Sequence, residues 1–148
     1  MLPKPESCRG CPLEGDMQGF VPDELVEEAA VFILGQAPGY NEEREGTPFV
    51  GKTGFVMEKA YLPHAGLIRG ASVSIGNVLK CRWIKNGKRT NDLPPAKILN
   101  VAATHCIQAH LNIPPGIKLV VAQGALAWKM MGGPGSITDW RGYLKPDE

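Results

Sequence analysis

Four cysteines are the first residues of this chain whose type and spacing suggest chemistry. Cys8 and Cys11 form a Cys-x-x-Cys pair near the N-terminus, and Cys81 and Cys106 follow far along the chain. Four thiolates suit either one zinc ion or an iron–sulfur cluster, and composition alone does not separate the two. The alternative interpretation is two structural core cysteines plus an incidental turn.

A glycine-rich loop, residues 35–54, is the second feature that predicts a site. It follows an apolar run, Ala30–Leu34, that is typical of a buried strand. Five glycines and two prolines in this loop indicate tight turns and a backbone that approaches a ligand closely. The spacing of a phosphate-binding loop and the Gly-x-Gly-x-x-Gly pattern are both missing. We therefore expect neither a P-loop nor a dinucleotide site.

Composition places the chain among ordinary globular domains. Its 148 residues are 43% apolar and carry a formal net charge of +1, so one core is expected and no overall bias toward nucleic acid. No apolar run approaches the roughly 20 residues of a membrane span, and the N-terminus lacks the apolar core of a signal peptide. We therefore expect a cytoplasmic protein without a membrane partner, with its thiols reduced.

Apolar runs alternate with helical patterns along the chain. Strands are predicted at residues 30–34, 71–77 and 117–122, and helices at 53–62, 94–111 and 125–131. This order predicts an α/β fold, a three-layer α/β/α arrangement around a central, mainly parallel four-stranded sheet. The run 117–122 is typical of a central strand, and a further short strand is expected within 136–144.

Ligands bind outside the carboxyl ends of the strands in such sheets. The glycine-rich loop, residues 77–82 and the turn Gln123-Gly124 should meet there. The segment after the second strand is basic, and its five cations, which could contact phosphate or belong to a solvated hairpin, are Lys80, Arg82, Lys85, Lys88 and Arg89. Residues 1–20 are irregular, and we expect a metal cluster to hold them on a single domain, 1–148.

Several segments resemble, in order, motifs of the iron–sulfur (family 4) uracil-DNA glycosylases. The segments are Cys8-Arg-Gly-Cys11, Gly35-Gln-Ala-Pro-Gly39 with Glu42, Gly46-Thr-Pro-Phe-Val-Gly51 with Gly54, Asn77-Val-Leu-Lys-Cys-Arg82, Val120–Ala127 and Ile137–Gly142. The resemblance runs the whole length of the chain. It implies hydrolysis of the bond between uracil and deoxyribose, after the base has left the DNA stack.

The resemblance also assigns roles to residues. Phe49 is expected to stack on the extruded base, and Asn77 to pair with its edge, because an amide offers one donor and one acceptor, as uracil does. Backbone groups of Gln36, Ala37 and Pro38 are expected near the uracil O2, where donors would stabilise the leaving anion. Without the resemblance, Phe49 reads as a plug over the core and Asn77 as the cap of a turn.

The resemblance favours a [4Fe-4S] cluster on Cys8, Cys11, Cys81 and Cys106, with zinc as the alternative. It implies a monomer whose partner is uracil-containing DNA, single- or double-stranded. The basic residues between 80 and 89 would contact phosphates.

Three departures from the family pattern matter. Gln36 stands where the family carries glutamate, and an amide can orient water but cannot take its proton; Glu42 matches a frequent family acid and would compensate in part. Cys81 and Cys106 are further apart than usual. The chain also ends before a His-Pro motif, so we expect a piece truncated at its C-terminus, similar to N-terminal domains of SPO1-type phage DNA polymerases.

These departures leave two other functions open. One is a catalytically impaired DNA-binding module with the same fold and cluster. The other is a metal-clipped redox or scaffold domain without DNA affinity.

Overall fold

A parallel sheet between two layers of helices forms the body of the protein in the computed structural model, which describes residues 1–142. The strands are β1 (Leu2–Pro3), β2 (Gln18–Phe20), β3 (Val31–Gly35), β4 (Val73–Asn77), β5 (Trp83–Lys85), β6 (Lys88–Thr90) and β7 (Leu119–Ala122). The α-helices are α1 (Tyr40–Glu45), α2 (Lys52–Val56), α3 (Leu62–His64), α4 (Ala96–His110), α5 (Ala125–Met130) and α6 (Ile137–Trp140). A π-helical turn, Met57–Tyr61, joins α2 to α3.

The parallel sheet has the order β4-β3-β7. The α/β class and the parallel pairing are therefore confirmed, but within residues 1–142 this sheet has three strands and not four. The central position belongs to β3, whereas β7, expected there, is an edge strand. Leu119 and Val121 of β7 are 40% and 37% exposed, so its continuous apolar run does not reflect burial on both faces.

The segment expected to add a strand forms the short helix α6 instead. Ser136 precedes this helix, and its side chain accepts the N–H of Thr138 at 3.2 Å, a cap that stabilises a helical start. Trp140 packs on Trp128 of α5 with the ring centroids 5.6 Å apart. The last residues of the expected strand, 143 and 144, lie outside the described residues.

The two faces of β3 bury different partners because successive side chains point to opposite sides of a strand. Phe32 and Leu34 pack with the cysteines and with α4 and α5. Ile33 packs on the opposite face against Met57 and Leu62. This arrangement is the predicted α/β/α layering. No helix among residues 1–142 is long and apolar enough to cross a membrane.

The basic segment folds as an antiparallel hairpin of β5 and β6. Asn86 and Gly87 at its tip both have positive φ, as a two-residue hairpin turn with right-handed twist requires. The N-terminal segment is more ordered than its composition suggests, because β1 pairs with β2. The buried Lys4 ammonium also donates to the carbonyls of Leu13 and Glu14.

Candidate functional site

A cavity of about 640 Å³ opens at the carboxyl ends of the three parallel strands. Its size is typical of a small-molecule site. The predicted convergence of three loops at this edge is confirmed, and the cavity is lined by residues 35–42, Phe49, residues 51–53, Asn77, Asn91, Gln123 and Gly124. Every residue predicted to contact a base lies in this lining.

Phe49 and Asn77 meet at Gly35, the last residue of β3. A Cβ on Gly35 would collide with the Asn77 side-chain oxygen and would stand 2.6 Å from the Phe49 ring. Glycine at position 35 therefore lets an aromatic face and an amide approach the same point. Asn77 pairs in register with Gly35 as the last residue of β4, and it is 4% exposed.

The Phe49 backbone adopts an unusual conformation, with φ at 54°, where a bulky residue is rarely found. Arg69 holds it: Nη1 donates to the Phe49 carbonyl at 2.7 Å and Nη2 to the Pro48 carbonyl at 2.6 Å. The ring also packs on the cluster of Ile33, Met57 and Val73. Phe49 is therefore both a plug over the core, as the plainer interpretation held, and a wall of the cavity.

Gln36 directs its side chain toward the start of α5. Its Oε1 accepts the N–H of Leu126 at 3.0 Å, and its stem lies where Gly124 leaves space. The Gln36 carbonyl also accepts the N–H of Leu79 at 2.9 Å. The amide oxygen at position 36 is thus engaged in joining two of the loops that line the cavity.

Glu42 organises the glycine-rich loop. Its Oε2 accepts the N–H of Gly39 at 3.1 Å, and its Oε1 accepts those of Val50 and Gly51 at 3.2 and 2.8 Å. The carboxylate therefore ties the first half of the loop to the second, across the cavity wall. Both oxygens already accept backbone N–H groups, so these contacts describe a positioning role, and the predicted catalytic role of Glu42 stays a prediction.

Three of the five cations expected to contact phosphate are engaged internally. Lys80 is 1% exposed and its ammonium lies 2.5 Å from Asp23 Oδ1. Arg82 and Arg89 both pair with the buried Glu43, at 2.9 and 2.7 Å. These contacts contradict the expectation of phosphate binding for Lys80 and leave Arg82 and Arg89 as links between α1 and the hairpin.

Lys85 and Lys88 differ from those three because both are exposed on the hairpin. The Lys85 ammonium stands 5.8 Å from the centre of the Trp83 ring. Of the predicted basic set, these two side chains remain available to an outside partner.

All four cysteines are buried and none forms a disulfide. Burial raises the pKa of Cys8, and raises that of Cys81 to about 11. A hydrogen bond between Cys11 and Cys106 lowers the pKa of Cys11 to about 6 and raises that of Cys106. Across residues 1–142, no three Cys, His, Asp or Glu side chains stand close enough to hold a metal ion as they are.

The cysteines nonetheless fit a four-thiolate group in kind, number and burial. Cys11, Cys81 and Cys106 belong to one buried cluster, and Cys8 acts on the Cys81 thiol electrostatically. His110 Nε2 lies 3.3 Å from Cys8 Sγ. A hydrogen bond from a neighbouring side chain to a metal-binding residue fixes the orientation of that residue.

Residues 22–144 match the sequence profile of the uracil DNA glycosylase superfamily. The chain belongs to the uracil-DNA glycosylase superfamily. It is 30% identical over 138 residues to a type-4 uracil-DNA glycosylase of Thermotoga maritima. The matched segment covers 93% of this chain and 68% of that protein.

Type-4 enzymes of two other organisms match a shorter segment. The identity is 42% over 77 residues with the Pyrobaculum aerophilum protein and 42% over 76 residues with the Archaeoglobus fulgidus protein. The matched segments cover 52% and 51% of this chain, and 38% and 37% of those relatives. The chain therefore spans between about a third and two thirds of the length of the glycosylases it matches.

Sequence reasoning missed several residues that hold the wall of the cavity in shape. Arg69 and Asp23 lie outside the three predicted loops and outside the segments that resemble family motifs. No local sequence signal therefore indicated their role. Asn91, which accepts from Arg82 Nε at 2.9 Å, lies in the longer segment between Cys81 and Cys106. Tyr40 is exposed at the cavity mouth, with the Arg44 and Arg82 guanidinium carbons each 5.7 Å from its ring centre.

Proposed function

We propose that this protein removes uracil from DNA by hydrolysing the bond between the base and deoxyribose. The meeting of the Phe49 ring and the Asn77 amide at Gly35, in the lining of the cavity, is the observation that carries the proposal. An aromatic face accepts a stacked base, and an amide pairs with the donor and acceptor at the uracil edge. The similarity to type-4 uracil-DNA glycosylases supports the same activity.

The residues of the cavity favour stabilisation of the leaving group over base catalysis. In the reaction, water oxygen bonds to C1′, and the electron pair of the broken N1–C1′ bond leaves with uracil as an anion. The attacking water loses one proton to solvent, and the uracil anion takes up a proton from solvent. Glu42 is the one carboxylate in the cavity lining as described, and its oxygens already accept three backbone N–H groups. We therefore assign the O2 side to backbone groups of Gln36 and Ala37, where donors stabilise developing charge. Pro38 completes this wall but has no N–H to donate.

We further propose that Cys8, Cys11, Cys81 and Cys106 bind a [4Fe-4S] cluster, with zinc as the alternative. The four buried thiols join the N-terminal segment to α4 and to the residues after β4. The cluster would link this segment covalently to the rest of the fold. A brown protein with broad visible absorption would support iron, and a colourless protein with stoichiometric zinc would overturn it.

Uracil release from defined oligonucleotides tests the activity. Metal-loaded protein is incubated with single- and double-stranded DNA that contains one uracil, and abasic sites are cleaved with alkali. The same sequence with thymine or cytosine is the control, and Phe49→Ala and Asn77→Ala should each lower the rate strongly. Folded, metal-loaded protein that leaves uracil-containing DNA intact would overturn the proposal.

A catalytically impaired DNA-binding module is the second candidate. Gln36 favours this candidate, because an amide at this position cannot take a proton from water. In addition, the Gln36 Oε1 already accepts the N–H of Leu126. This candidate predicts salt-sensitive binding of DNA without base release. A protein without DNA affinity even at low salt would instead match a redox or scaffold domain.

A further inference from the structure

The short segment that precedes β3 carries two adjacent acids, Asp23 and Glu24, outside the cavity. Its backbone runs antiparallel to β4, because Glu24 exchanges two hydrogen bonds with Ile75, at 2.8 and 2.9 Å. Successive side chains of an extended segment point to opposite sides. Asp23 and Glu24 therefore reach two different cations, Lys80 and Arg69.

The first branch of contacts runs from Asp23 through Lys80 to the backbone of Asn77. The Lys80 ammonium lies 2.5 Å from Asp23 Oδ1 and also donates to the Asn77 carbonyl. Gly76 makes room for this contact, since a Cβ there would overlap the Asp23 carboxylate. The backbone carbonyl of Asn77 is thus held by the buried Lys80–Asp23 ion pair.

The second branch of contacts runs from Glu24 through Arg69 to the backbone of Phe49. Glu24 binds Arg69 through two hydrogen bonds, at 3.2 Å to Nε and 3.0 Å to Nη2. Arg69 then donates to the carbonyls of Pro48 and Phe49. The guanidinium plane therefore connects a fixed carboxylate to the residue whose backbone is in the left-handed region.

We propose that Asp23 and Glu24 are positioning residues that fix the distance between the stacking face and the edge-reading amide. The inference rests on the proposed function, since it concerns how Phe49 and Asn77 share one base. Neither acid lines the cavity. Both act through a cation on a backbone group, and because they are neighbours in one segment, the two branches share a common origin.

Double-mutant cycles on uracil release test the two branches separately. Asp23→Asn and Arg69→Lys should each lower kcat by about 10-fold to 100-fold, as small misplacements of reacting groups do. In an Asn77→Ala background, Asp23→Asn should have less than about a twofold further effect, but it should keep its effect in a Phe49→Ala background. Arg69→Lys should show the reverse pattern. Glu27→Gln, an exposed acid of the same segment, is the matched control.

If the effects of the two single substitutions on kcat multiply in all four double variants, the inference is overturned. Independent effects of this kind would indicate a general loss of stability, which does not depend on whether Asn77 or Phe49 is still present. If Asp23→Asn does not fold, the charge-neutral pair Asp23→Asn with Lys80→Met takes its place. Visible absorption and circular dichroism show whether each variant keeps its metal and fold.

A second readout does not need catalysis and separates this inference from the proposed function. The side-chain amide resonances of Asn77 are assigned in ¹⁵N-labelled protein from their loss in Asn77→Ala. In Asp23→Asn they should shift or broaden, and in Glu27→Gln they should stay. Unchanged resonances in Asp23→Asn would overturn the positioning role, whereas an inactive wild-type protein with the expected shifts would refute only the glycosylase activity.

Discussion

Glu42 accepts the backbone N–H of Gly51 at 2.8 Å, nine positions further along the chain and beyond Phe49. The same carboxylate accepts the N–H of Gly39 at the start of α1. The Glu42 carboxylate therefore connects the two ends of the segment 39–51, which explains why the glycine-rich loop keeps a defined shape despite its glycine content. The acid that sequence comparison assigned to catalysis has a structural partner on each oxygen.

Glu42→Gln should lower both stability and uracil release. The amide offers one acceptor oxygen in place of two, so at least one backbone N–H loses a charged partner, at a cost of about 2 kcal/mol. Urea unfolding and the oligonucleotide assay measure the two effects. A variant that is inactive but as stable as wild type would show that Glu42 is instead a proton acceptor.

Gly54→Ala should displace Phe49 and abolish base stacking. A Cβ at position 54 would overlap the Phe49 carbonyl, which is backbone and cannot rotate away. We expect a loss of about 3 kcal/mol in unfolding free energy, together with loss of activity. Gly116→Ala is the matched control, since its Cβ would meet backbone oxygens only at 3.8 and 3.9 Å. Equal behaviour of the two variants would contradict the contact.

Glu43→Ala should destabilise the fold strongly. Glu43 is 2% exposed and pairs with Arg82 and Arg89, so its removal leaves two cations without their shared anion. Loss of one partner from a buried pair costs about 3–5 kcal/mol, as measured by urea unfolding. Glu45→Ala on the same helix removes only an exposed pair with Arg44 and should change stability by less than about 0.5 kcal/mol. Similar losses in both would argue against the network.

Removal of the proposed metal cluster should expose the N-terminal segment to trypsin. Cys8 and Cys11 lie beside the exposed Arg9 and would be released from α4 when the cluster is lost. Oxidation and chelation of the loaded protein should therefore speed cleavage at Arg9, whereas cleavage at the exposed Lys88 should keep its rate. Cys81→Ser should reproduce the effect. Equal protection with and without metal would show that the segment is held by other contacts.

Asp23 should make stability depend on pH in the acid range. Burial raises the pKa of its carboxyl against the opposing effect of Lys80. Because the pKa of Asp23 is raised in the folded state, the unfolded chain ionises at lower pH than the folded protein. The contribution of Asp23 to the unfolding free energy is therefore fully present below about pH 3.8, and it is lost as the pH rises through the folded-state pKa. The unfolding free energy of wild type relative to Asp23→Asn should thus fall across this window. A constant difference would mean that folding leaves the carboxyl pKa unchanged.

Most of the candidate site is predictable from sequence because its signals are local. A buried apolar strand followed by a glycine-rich turn specifies where β3 ends, and parallel strands bring their carboxyl ends together, so the convergence of residues 35–54, Asn77 and Gln123-Gly124 followed from order alone. The helix α4 was placed within about two residues from its proline start and apolar stripe. Strand number and strand order were harder, because β7 has the composition of a central strand and the location of an edge.

The amino-acid sequence determined the kind of site: an aromatic in the loop after one strand, an amide at the end of its neighbour, and four thiols elsewhere in the chain. Only the tertiary structure decided which charges face outward. Lys80 and Asp23 are 57 residues apart, and Arg82 and Glu43 are 39 apart, so no local pattern shows that these cations are already neutralised. The reason is physical: strand and turn propensities act between neighbours, whereas the partner of a buried charge is chosen by whichever segment the fold brings beside it.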